Sequence, residues 1–500
     1  MKPFIPSALR PSGVSRWWIA VLCGLVATLS ACMDEEKFDT RAGDRLRFSV
    51  DTLSFDTVLA GVDTPTRYFM AYNPNSHGVS ITDVSFAGGA SGGFRVNVDG
   101  MYINHGMTQT IDCRGGDSLR VFVELTPTAS TGEVCSDITV QLRFTLSNGE
   151  TDAVVLTATQ QNVEVLREQH ITGDTLLEGR LPYLVYGHLT VDEGATLTLA
   201  PGCLFYFHTD AYLRVEGTLQ AIGTGEQQIV MRGDRTDNMF EGQPYDRVPN
   251  QWQGIRFTGS SYGNHLVYCD IHSGNYGLVC DSSDTSREKL RLENSVVHNM
   301  SKNCLTLTSC QTFVGNSQIS NAGAKGVYIL GGVSDFIHVT VAQFYPFDGI
   351  AEEALYFANE SSGLDYPLEK MSFRNSIITG YNDDDIMGWY SDESKGVAYN
   401  YSFSHCLLNT PKVDDDPGFV ACAWESDSKE TKRAANFPHF NLPELIFSFA
   451  LAEKSLAVGI ADPQLTSIYY PTDRLSRPRL TDGQSDAGCY EMQPAPKEAE

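Results

Sequence analysis

Aromatic side chains stand beside carboxylates in several stretches of the second half of this chain. The rings that stand out are Tyr345, Trp389, Tyr390 and Trp424. A ring face can stack on the C–H face of a sugar, and nearby carboxylates can accept hydrogen bonds from its hydroxyl groups. We therefore take these four as candidate ligand-binding residues. The alternative is that the rings pack their own loops onto the body of the protein, because a long loop needs a small core.

A run of three acids, Asp383, Asp384 and Asp385, lies just before two of these rings. Calcium takes six to eight oxygen ligands, which carboxylates can supply. The three residues are therefore candidate metal ligands, although the spacing of an EF-hand loop is absent. The alternative is a solvent-facing acidic run without an ion. Apart from calcium, the sequence indicates no cofactor.

Sequence motifs typical of catalytic sites are weak or absent. Residues 259–263 match G-x-S-x-G, but they lie between two short strand patterns and not between a strand and a helix, as a nucleophile elbow requires. The sequence has no C-x-x-C, no H-E-x-x-H, no phosphate loop and no dinucleotide fingerprint. We therefore predict no catalytic residue.

The charge of the chain excludes one class of partner. The formal net charge is −26, and residues 1–31 contribute +3, so the remaining chain carries −29. A chain this acidic is repelled by phosphate backbones, and we expect no nucleic-acid binding.

The elements that must carry the candidate residues repeat along the chain. Six segments align on a four-residue pattern whose second position is small and whose fourth is apolar, the fourth positions being Ile271, Val297, Ile319, Val341, Ile378 and Leu408. These positions are 26, 22, 22, 37 and 30 residues apart. Short strands separated by turns at such a period predict the coils of a parallel β-helix, with the fourth position inside. The long spacings are insertions, where a binding face is expected.

A different pattern precedes the repeats. Residues 119–125 and 138–144 alternate apolar and polar side chains, and Asn148-Gly149 marks a hairpin. Several such strands predict a β-sandwich. Cys113 and Cys135 flank one strand pattern and are the one pair that we expect as a disulfide.

The N-terminus has the pattern of an export signal. Basic residues precede a 13-residue apolar run, 17–29, which is too short to span a bilayer. The next residues, Leu29-Ser30-Ala31-Cys32, resemble a bacterial lipobox, which implies cleavage before Cys32 and its lipidation. The acidic residues that follow resemble the surface-export signal of Bacteroidota lipoproteins. The alternatives are an ordinary signal peptide, and a tether that leaves the membrane face undetermined.

Two further resemblances complete the predicted organisation. Asp416-Pro417-Gly418-Phe419 and residues 454–459 and 486–491 resemble bacterial right-handed parallel β-helix proteins of the pectate-lyase-like fold. Residues 55–58, 72–74, 94–96, 116–119 and 125–127 resemble immunoglobulin-like domains of the ASPM/SPD-2/Hydin type. We therefore expect an all-β chain with a signal peptide (1–31), an acidic tether (32–42), an immunoglobulin-like β-sandwich (43–162), a right-handed parallel β-helix (165–491) and a flexible tail (492–500).

Three functions remain open for such a protein. The first is binding of a glycan or another surface ligand by the β-helix, without catalysis. The second is a polysaccharide lyase or glycoside hydrolase; in β-helix lyases a basic residue takes the proton, and Lys302 and Lys325 align in successive coils. The third is a structural or adhesive component of an outer-membrane complex. In each case we expect a lipid anchor in the outer membrane, exposed at the cell surface, with a polysaccharide or an outer-membrane protein as partner.

Replacing Cys32 tests the anchor. Cys32→Ser should move the protein from the membrane fraction to the soluble fraction, because lipid chains on this residue are the predicted attachment. Immunoblotting of separated fractions after alkaline extraction measures the change. Cys23→Ser is the matched control, because Cys23 lies in the predicted signal peptide and should not alter the distribution. A Cys32→Ser protein that still resists extraction would contradict the prediction.

Overall fold

The computed structural model describes residues 38, 40–103, 107, 109–130, 134–347, 352–390 and 396–493. The predicted signal peptide, Cys32 and most of the predicted tether and tail lie outside the described residues. Two compact units are present, one composed mainly of Gly61–Thr128 and Asp137–Thr159, the other mainly of the chain from Gln160 onward. No helix among the described residues is long and apolar enough to cross a membrane.

The first unit is a β-sandwich. Its strands β1 to β10 are Arg47–Phe48, Thr52–Leu59, Arg67–Tyr72, Val79–Phe86, Phe94–Val98, Met101–Tyr102, Ile111–Cys113, Ser118–Leu125, Cys135–Leu146 and Thr151–Gln161. They form two five-stranded sheets, β1-β3-β8-β5-β6 and β2-β10-β9-β4-β7. Rings join the sheets, with Phe48 5.0 Å from Phe144 and Phe55 5.7 Å from Phe94 between centroids. The alternating strands therefore bury their apolar sides between the sheets, as predicted.

The expected disulfide is wrong. Cys113 and Cys135 are not joined. Cys113 pairs with Val79 at the beginning of β4, whereas β9 pairs with the end of β4 through Leu142, seven residues beyond Cys135. The two cysteines therefore lie at opposite ends of the sheet, beyond the reach of a disulfide.

The second unit is a parallel β-helix. Strands β11 to β42 are Glu164–Ile171, Thr175–Leu177, Tyr183–Val191, Thr196–Leu199, Leu204–Phe207, Tyr212–Val215, Thr218–Ile222, Ile229–Gly233, Asn238–Phe240, Gln243–Pro244, Gly254–Phe257, Asn264–Val267, Cys269–His272, Leu278–Cys280, Glu288–Glu293, Val296–Met300, Leu305–Thr308, Gln311–Gly315, Gln318–Ala322, Val327–Leu330, Gly332–Ile337, Thr340–Gln343, Leu355–Ala358, Glu360–Ser361, Leu364–Asp365, Leu368–Arg374, Ile377–Gly380, Ile386–Trp389, Tyr399–Ser404, Leu407–Leu408, Phe419–Val420 and Ala423–Trp424. The two large sheets of this unit contain 18 and 10 strands, and neighbouring strands within each sheet pair in parallel. The all-β fold with a parallel β-helix is therefore confirmed.

Three rows of strands make the faces of the β-helix. Face A contains the first half of β13, then β15, β18, β23, β26, β29, β32, β37, β40 and β42. Face B contains the second half of β13, then β16, β21, β24, β27, β30, β33 and β38. Face C is the ten-stranded sheet β12-β14-β17-β22-β25-β28-β31-β36-β39-β41.

The predicted register on face A is confirmed. Each fourth-position residue pairs directly with the next, from Ile271 to Leu408, and all six side chains are buried in one continuous core. At the second position, the Ser295 hydroxyl accepts a hydrogen bond from the Cys269 amide at 2.9 Å, and Ser317 does the same for Ser295 at 3.0 Å. Small polar side chains therefore fit inside because they bond the backbone of the neighbouring coil.

The chain after the last coil returns along the outside of face A. It contains two short 3-10 helices (Glu425–Asp427 and Arg433–Asn436), a hairpin of β43 (His439–Asn441) and β44 (Ile446–Ser448), and an α-helix, α1 (Pro463–Tyr469), capped by the Asp462 carboxylate. A second apolar cluster joins its residues to outward side chains of face A, including Ala342, Ile377 and Leu407. The segment therefore covers a part of this face that would otherwise be an apolar strip in water.

A buried arginine fastens this segment. The Arg479 side chain is fully buried, and its Nη2 donates to the Asn316 Oδ1 at 2.8 Å and to the Gly488 carbonyl at 2.9 Å. Its Nη1 lies 3.2 Å from the Glu491 carboxylate. Because an unpaired buried charge is costly, the guanidinium depends on these partners at this position.

A charge in the core tests the register. Val297→Asp should lower the free energy of unfolding by several kcal/mol, because Val297 is fully buried and the new carboxylate has no partner there. Urea unfolding followed by far-UV circular dichroism measures the loss. Val420→Asp is the matched control, because Val420 is 54% exposed and should change stability little. An unchanged unfolding curve for Val297→Asp would contradict the assigned register.

Candidate functional site

A groove runs along the outer surface of face B. It has a volume of about 570 Å³ and is lined by Tyr212, Arg214, Gln253, Gly254, Ile255, Arg256, Tyr276, Val279, Asn303, Thr306 and Tyr328. Tyr212 lies on β16 and Tyr328 on β30, four coils later. At a strand spacing of about 4.8 Å, the groove spans roughly 19 Å along the β-helix axis.

The groove exists because one outward row varies in size. Arg214, Arg256, Val279, Thr306 and Tyr328 occupy equivalent positions on consecutive coils. The short side chains of Val279 and Thr306 leave a depression between the larger arginines and the tyrosine. Since the inward row of the same strands fills the core, the outward row is free to form a binding surface.

A glycine brings two coils close together at the floor of the groove. Gly254 has a positive φ of 96°, and a Cβ there would lie 2.0 Å from the Tyr276 carbonyl oxygen. Glycine is therefore required at this position. Next to this close approach, Tyr276 lines the groove, and it is 37% exposed.

Tyrosine rings lie at both ends of the groove, and hydrogen-bonding groups lie between them. Tyr212 stacks on His188 at 5.7 Å between centroids, and Tyr328 stacks on Tyr356 at 5.2 Å with planes 6° apart. Between these rings, Asn275 donates to Gln253 at 3.0 Å, and Asn303 donates to Thr306 at 3.1 Å. Stacking holds the rings in fixed orientations, and hydrogen bonds hold the amides in place.

The predicted ligand-binding residues divide into two groups. Trp389 and Tyr390 are 53% and 60% exposed, and Trp389 ends the last strand of face B. Trp424 and Tyr345 are only 7% and 8% exposed; Trp424 belongs to the core and packs 5.1 Å from Phe419. The structure therefore places Trp389 at the end of face B, on the same face as the groove, whereas the Tyr390 ring packs 5.5 Å from Tyr399 of face C. Trp424 and Tyr345 are buried because their rings are used for packing.

The three predicted metal ligands do not converge. Asp383 forms an ion pair with Arg433, and the Asp384 carboxylate accepts from the Ile386 amide at 3.2 Å. The Asp385 side chain is fully buried and accepts from Asn409 at 2.7 Å and from Asn382 at 3.2 Å. Burial raises the pKa of Asp385 to about 7, and the amide donors only partly oppose this. The three carboxylates are therefore bonded to protein groups, and Asp385 also carries a proton below neutral pH.

The two lysines considered for a lyase have different surroundings. Lys325 lies 2.5 Å from Glu352 and 3.1 Å from Glu353, while Lys302 is exposed. Lys289 is fully buried and donates to the carbonyl oxygens of Thr258 and Ser261, so it closes a turn of the β-helix.

A second polar cluster lies on face A. The His272 Nδ1 is 2.8 Å from the Asp270 Oδ1, and its Nε2 is 2.7 Å from the Asp246 Oδ1. The His298 Nε2 is 3.1 Å from the same oxygen of Asp270, and an Arg232 Nη1 is 2.8 Å from Asp246. Asp270, His272 and His298 form a group of three side chains able to bind a metal, and no other such group converges within the part of the chain that the structure describes.

The cluster perturbs its own ionisation. Burial alone would lower the pKa of His272, but the carboxylates of Asp270 and Asp246 raise that pKa to about 9. Burial would raise the pKa of Asp246, but His272 and Arg232 lower it to about 2. The pKa of Asp270 is likewise held well below its usual range by His272 and His298, against the effect of burial. The network is therefore a strongly coupled set of opposite charges.

Sequence reasoning missed both the groove and the cluster. Function is expected in the insertions, whereas both sites are built from outward positions of regular coils. The signal was present: Tyr212 and Arg214 alternate with the buried Ala211, Leu213 and Val215. His272 and His298 also follow Ile271 and Val297 directly, and therefore occupy the same repeat position.

Comparison with known proteins adds little to this picture. No protein family matches the chain. The Drosophila melanogaster protein named bark beetle is 26% identical over 128 residues, which are 26% of this chain and only 4% of that protein.

Two solved structures are similar to parts of the chain. The catalytic unit of a GH87 α-1,3-glucanase from Streptomyces thermodiastaticus strain HF3-3 is 11% identical, with 71% of this chain and 87% of that chain covered and a TM-score of 0.27. The ASH/PapD-like domain of human CEP192 is 11% identical, with 26% and 92% covered and a TM-score of 0.17. At these scores the likenesses carry no functional conclusion.

The pKa of Asp385 predicts a pH effect on stability. The folded protein keeps this proton up to about pH 7, whereas an unfolded aspartate loses it near pH 3.8, so stability should fall as the pH rises between these values. This fall in the free energy of unfolding should be of the order of a few kcal/mol, and Asp385→Asn should remove it. Unfolding curves measured from pH 4 to 8 give the comparison, with the exposed Asp384→Asn as control. Identical pH dependence in the wild-type protein and Asp385→Asn would refute the assignment.

Proposed function

We propose that this protein binds a neutral polysaccharide along face B, in the groove between Tyr212 and Tyr328. The observation that carries this proposal is that one groove, over five coils, combines tyrosine rings fixed at both ends with amide and guanidinium groups. Ring faces stack on sugar C–H faces, while the polar groups bond hydroxyl groups. An open, elongated groove suits a chain of sugars better than a compact small molecule.

The charges of the groove favour a neutral ligand and binding without catalysis. The Arg214 Nε lies 2.6 Å from Glu216, and the Arg256 Nε lies 2.9 Å from Asp281. Each arginine is therefore neutralised by a carboxylate, and an acidic polysaccharide would gain little from them. Glycoside hydrolysis needs one carboxyl group as a proton donor and another as a nucleophile or base. Carboxylates engaged in these ion pairs are poor proton donors.

The binding surface continues past Tyr328. Tyr356 stacks on Tyr328, and the next strand of face B ends with the exposed Trp389, whose Nε1 donates to Glu360 at 3.3 Å. We include Trp389 and Tyr390 as the far end of the surface. A long ligand would contact both regions, since Tyr328 and Trp389 lie on the same face, two coils apart.

The remaining features complete the proposal for the whole chain. Lipidation at Cys32 would attach the protein to the outer membrane, and export would expose it at the cell surface. The β-sandwich would then serve as an immunoglobulin-like spacer or as a binding module for an outer-membrane protein partner. In this arrangement the β-helix presents its groove to glycans outside the cell.

Affinity electrophoresis of the full-length protein in detergent tests glycan binding. We expect retardation in a gel that contains a neutral glucan or mannan, and no retardation with polygalacturonate. Tyr212→Ala and Tyr328→Ala should each weaken binding about tenfold, because each removes a stacking surface. Tyr102→Ala is the control, because this exposed tyrosine lies in the β-sandwich.

Two outcomes would contradict the proposal. One is migration that no neutral polysaccharide alters, which would redirect the search to a protein partner. The other is retardation that persists in both groove variants and is lost in Tyr102→Ala, which would place the ligand on the other unit. Thermal unfolding of each variant establishes that the loss of binding is not a loss of fold.

A further inference from the structure

We propose that Asp270, His272 and His298, on the outer surface of face A, bind a divalent transition-metal cation such as Zn²⁺. Each residue offers one ligand atom, and the three atoms lie within 4.8 Å of one another. The site is separate from the groove, which lies on face B, and its existence does not depend on the proposed glycan.

The donor set favours a transition metal over calcium. Two imidazole nitrogens and one carboxylate oxygen match the three protein ligands that zinc commonly takes, whereas calcium requires oxygen ligands. The Asp270 Oδ1 lies 2.8 Å from His272 and 3.1 Å from His298. Bonds of about 2.1 Å to one ion would separate neighbouring ligands by roughly 3.4 Å, so small side-chain movements are sufficient.

The surroundings orient the first histidine for this role. The His272 Nε2 is directed to Asp246 at 2.7 Å, which leaves Nδ1 directed toward Asp270 and the centre of the cluster. A metal-bound histidine usually donates its other ring N–H to a carboxylate, which fixes the ring and raises its basicity. Arg232 holds Asp246 in turn at 2.8 Å. A cation would replace the proton that His272 shares with Asp270.

The backbone holds the ligands in place and leaves a path for the ion. His272 on β23 pairs in register with His298 on β26, and their rings lie 4.8 Å apart. The side chains of Asp270 and His298 remain 29% and 23% exposed. An ion can therefore enter from solvent, and water or a ligand oxygen can occupy the remaining coordination position.

Zinc titration of the full-length protein tests the proposal. The protein is purified in detergent, treated with EDTA and titrated with Zn²⁺ or Ca²⁺ by calorimetry. We expect one zinc ion per chain, no comparable calcium binding, and a higher unfolding temperature with zinc. Asp270→Asn and His298→Gln should each weaken zinc binding at least tenfold, and Asp246→Asn by about 10- to 100-fold.

A matched control addresses adventitious binding by surface histidines. His188 and His170 form another pair, with Nε2 atoms 3.4 Å apart; His170 is exposed and His188 is half-buried. His188→Ala should leave the affinity of the zinc site unchanged. Zinc binding that is lost in His188→Ala but retained in Asp270→Asn would overturn the proposal, as would the absence of zinc binding in the wild-type protein.

A measurement on the unaltered protein guards against variants that do not fold. Co²⁺ should replace Zn²⁺ and give the intense visible absorption of a four- or five-coordinate nitrogen and oxygen site. A weak spectrum like that of the hydrated ion would show that the cluster is a hydrogen-bond network without a metal, and would overturn the proposal.

Discussion

Every coil of the β-helix depends on its neighbours for its backbone hydrogen bonds. An isolated coil would expose unpaired N–H and C=O groups along each strand, and only an in-register stack satisfies them. The register in turn requires a sharp turn at the same place in each coil. Tyr268, Asn294, Asn316, His338, Asn375 and His405 all have φ between 48° and 53° at this turn. Asparagine tolerates this left-handed conformation, and the Asn316 amide donates to Asn294 at 2.7 Å.

The same register determines where binding surfaces arise. Because coils stack directly, residues about 22 positions apart in sequence become lateral neighbours at one strand spacing. Inward rows must be apolar or small, but outward rows carry no such requirement. The tyrosines and arginines of the groove belong to outward rows, and so do the histidines of the proposed metal site. The two sites differ in what surrounds them: the groove stays open, whereas a loop with Asp246 partly covers the cluster.

The sequence predicted the fold well because the fold is periodic. The small second position, the apolar fourth position and the period near 22 residues identify the β-helix, and the paired register from Ile271 to Leu408 agrees with them. The candidate sites were predicted less well. Rings in insertions look alike whether they pack inward, as Trp424 does, or point outward, as Trp389 does. Asp246 reaches His272 from a loop outside the repeat, and no periodic signal marks such a contact.

The segment that covers face A gives the molecule an order of assembly. Residues 437–491 are synthesised after all the coils, yet they supply the apolar cover of Ala342, Ile377 and Leu407 and the buried Arg479 that bonds Asn316. A nascent chain can stack its coils as they emerge, but it displays this apolar strip until its own later residues arrive. A product that terminates before residue 437 therefore keeps the strip permanently uncovered, and chaperones and proteases can distinguish it from the finished protein.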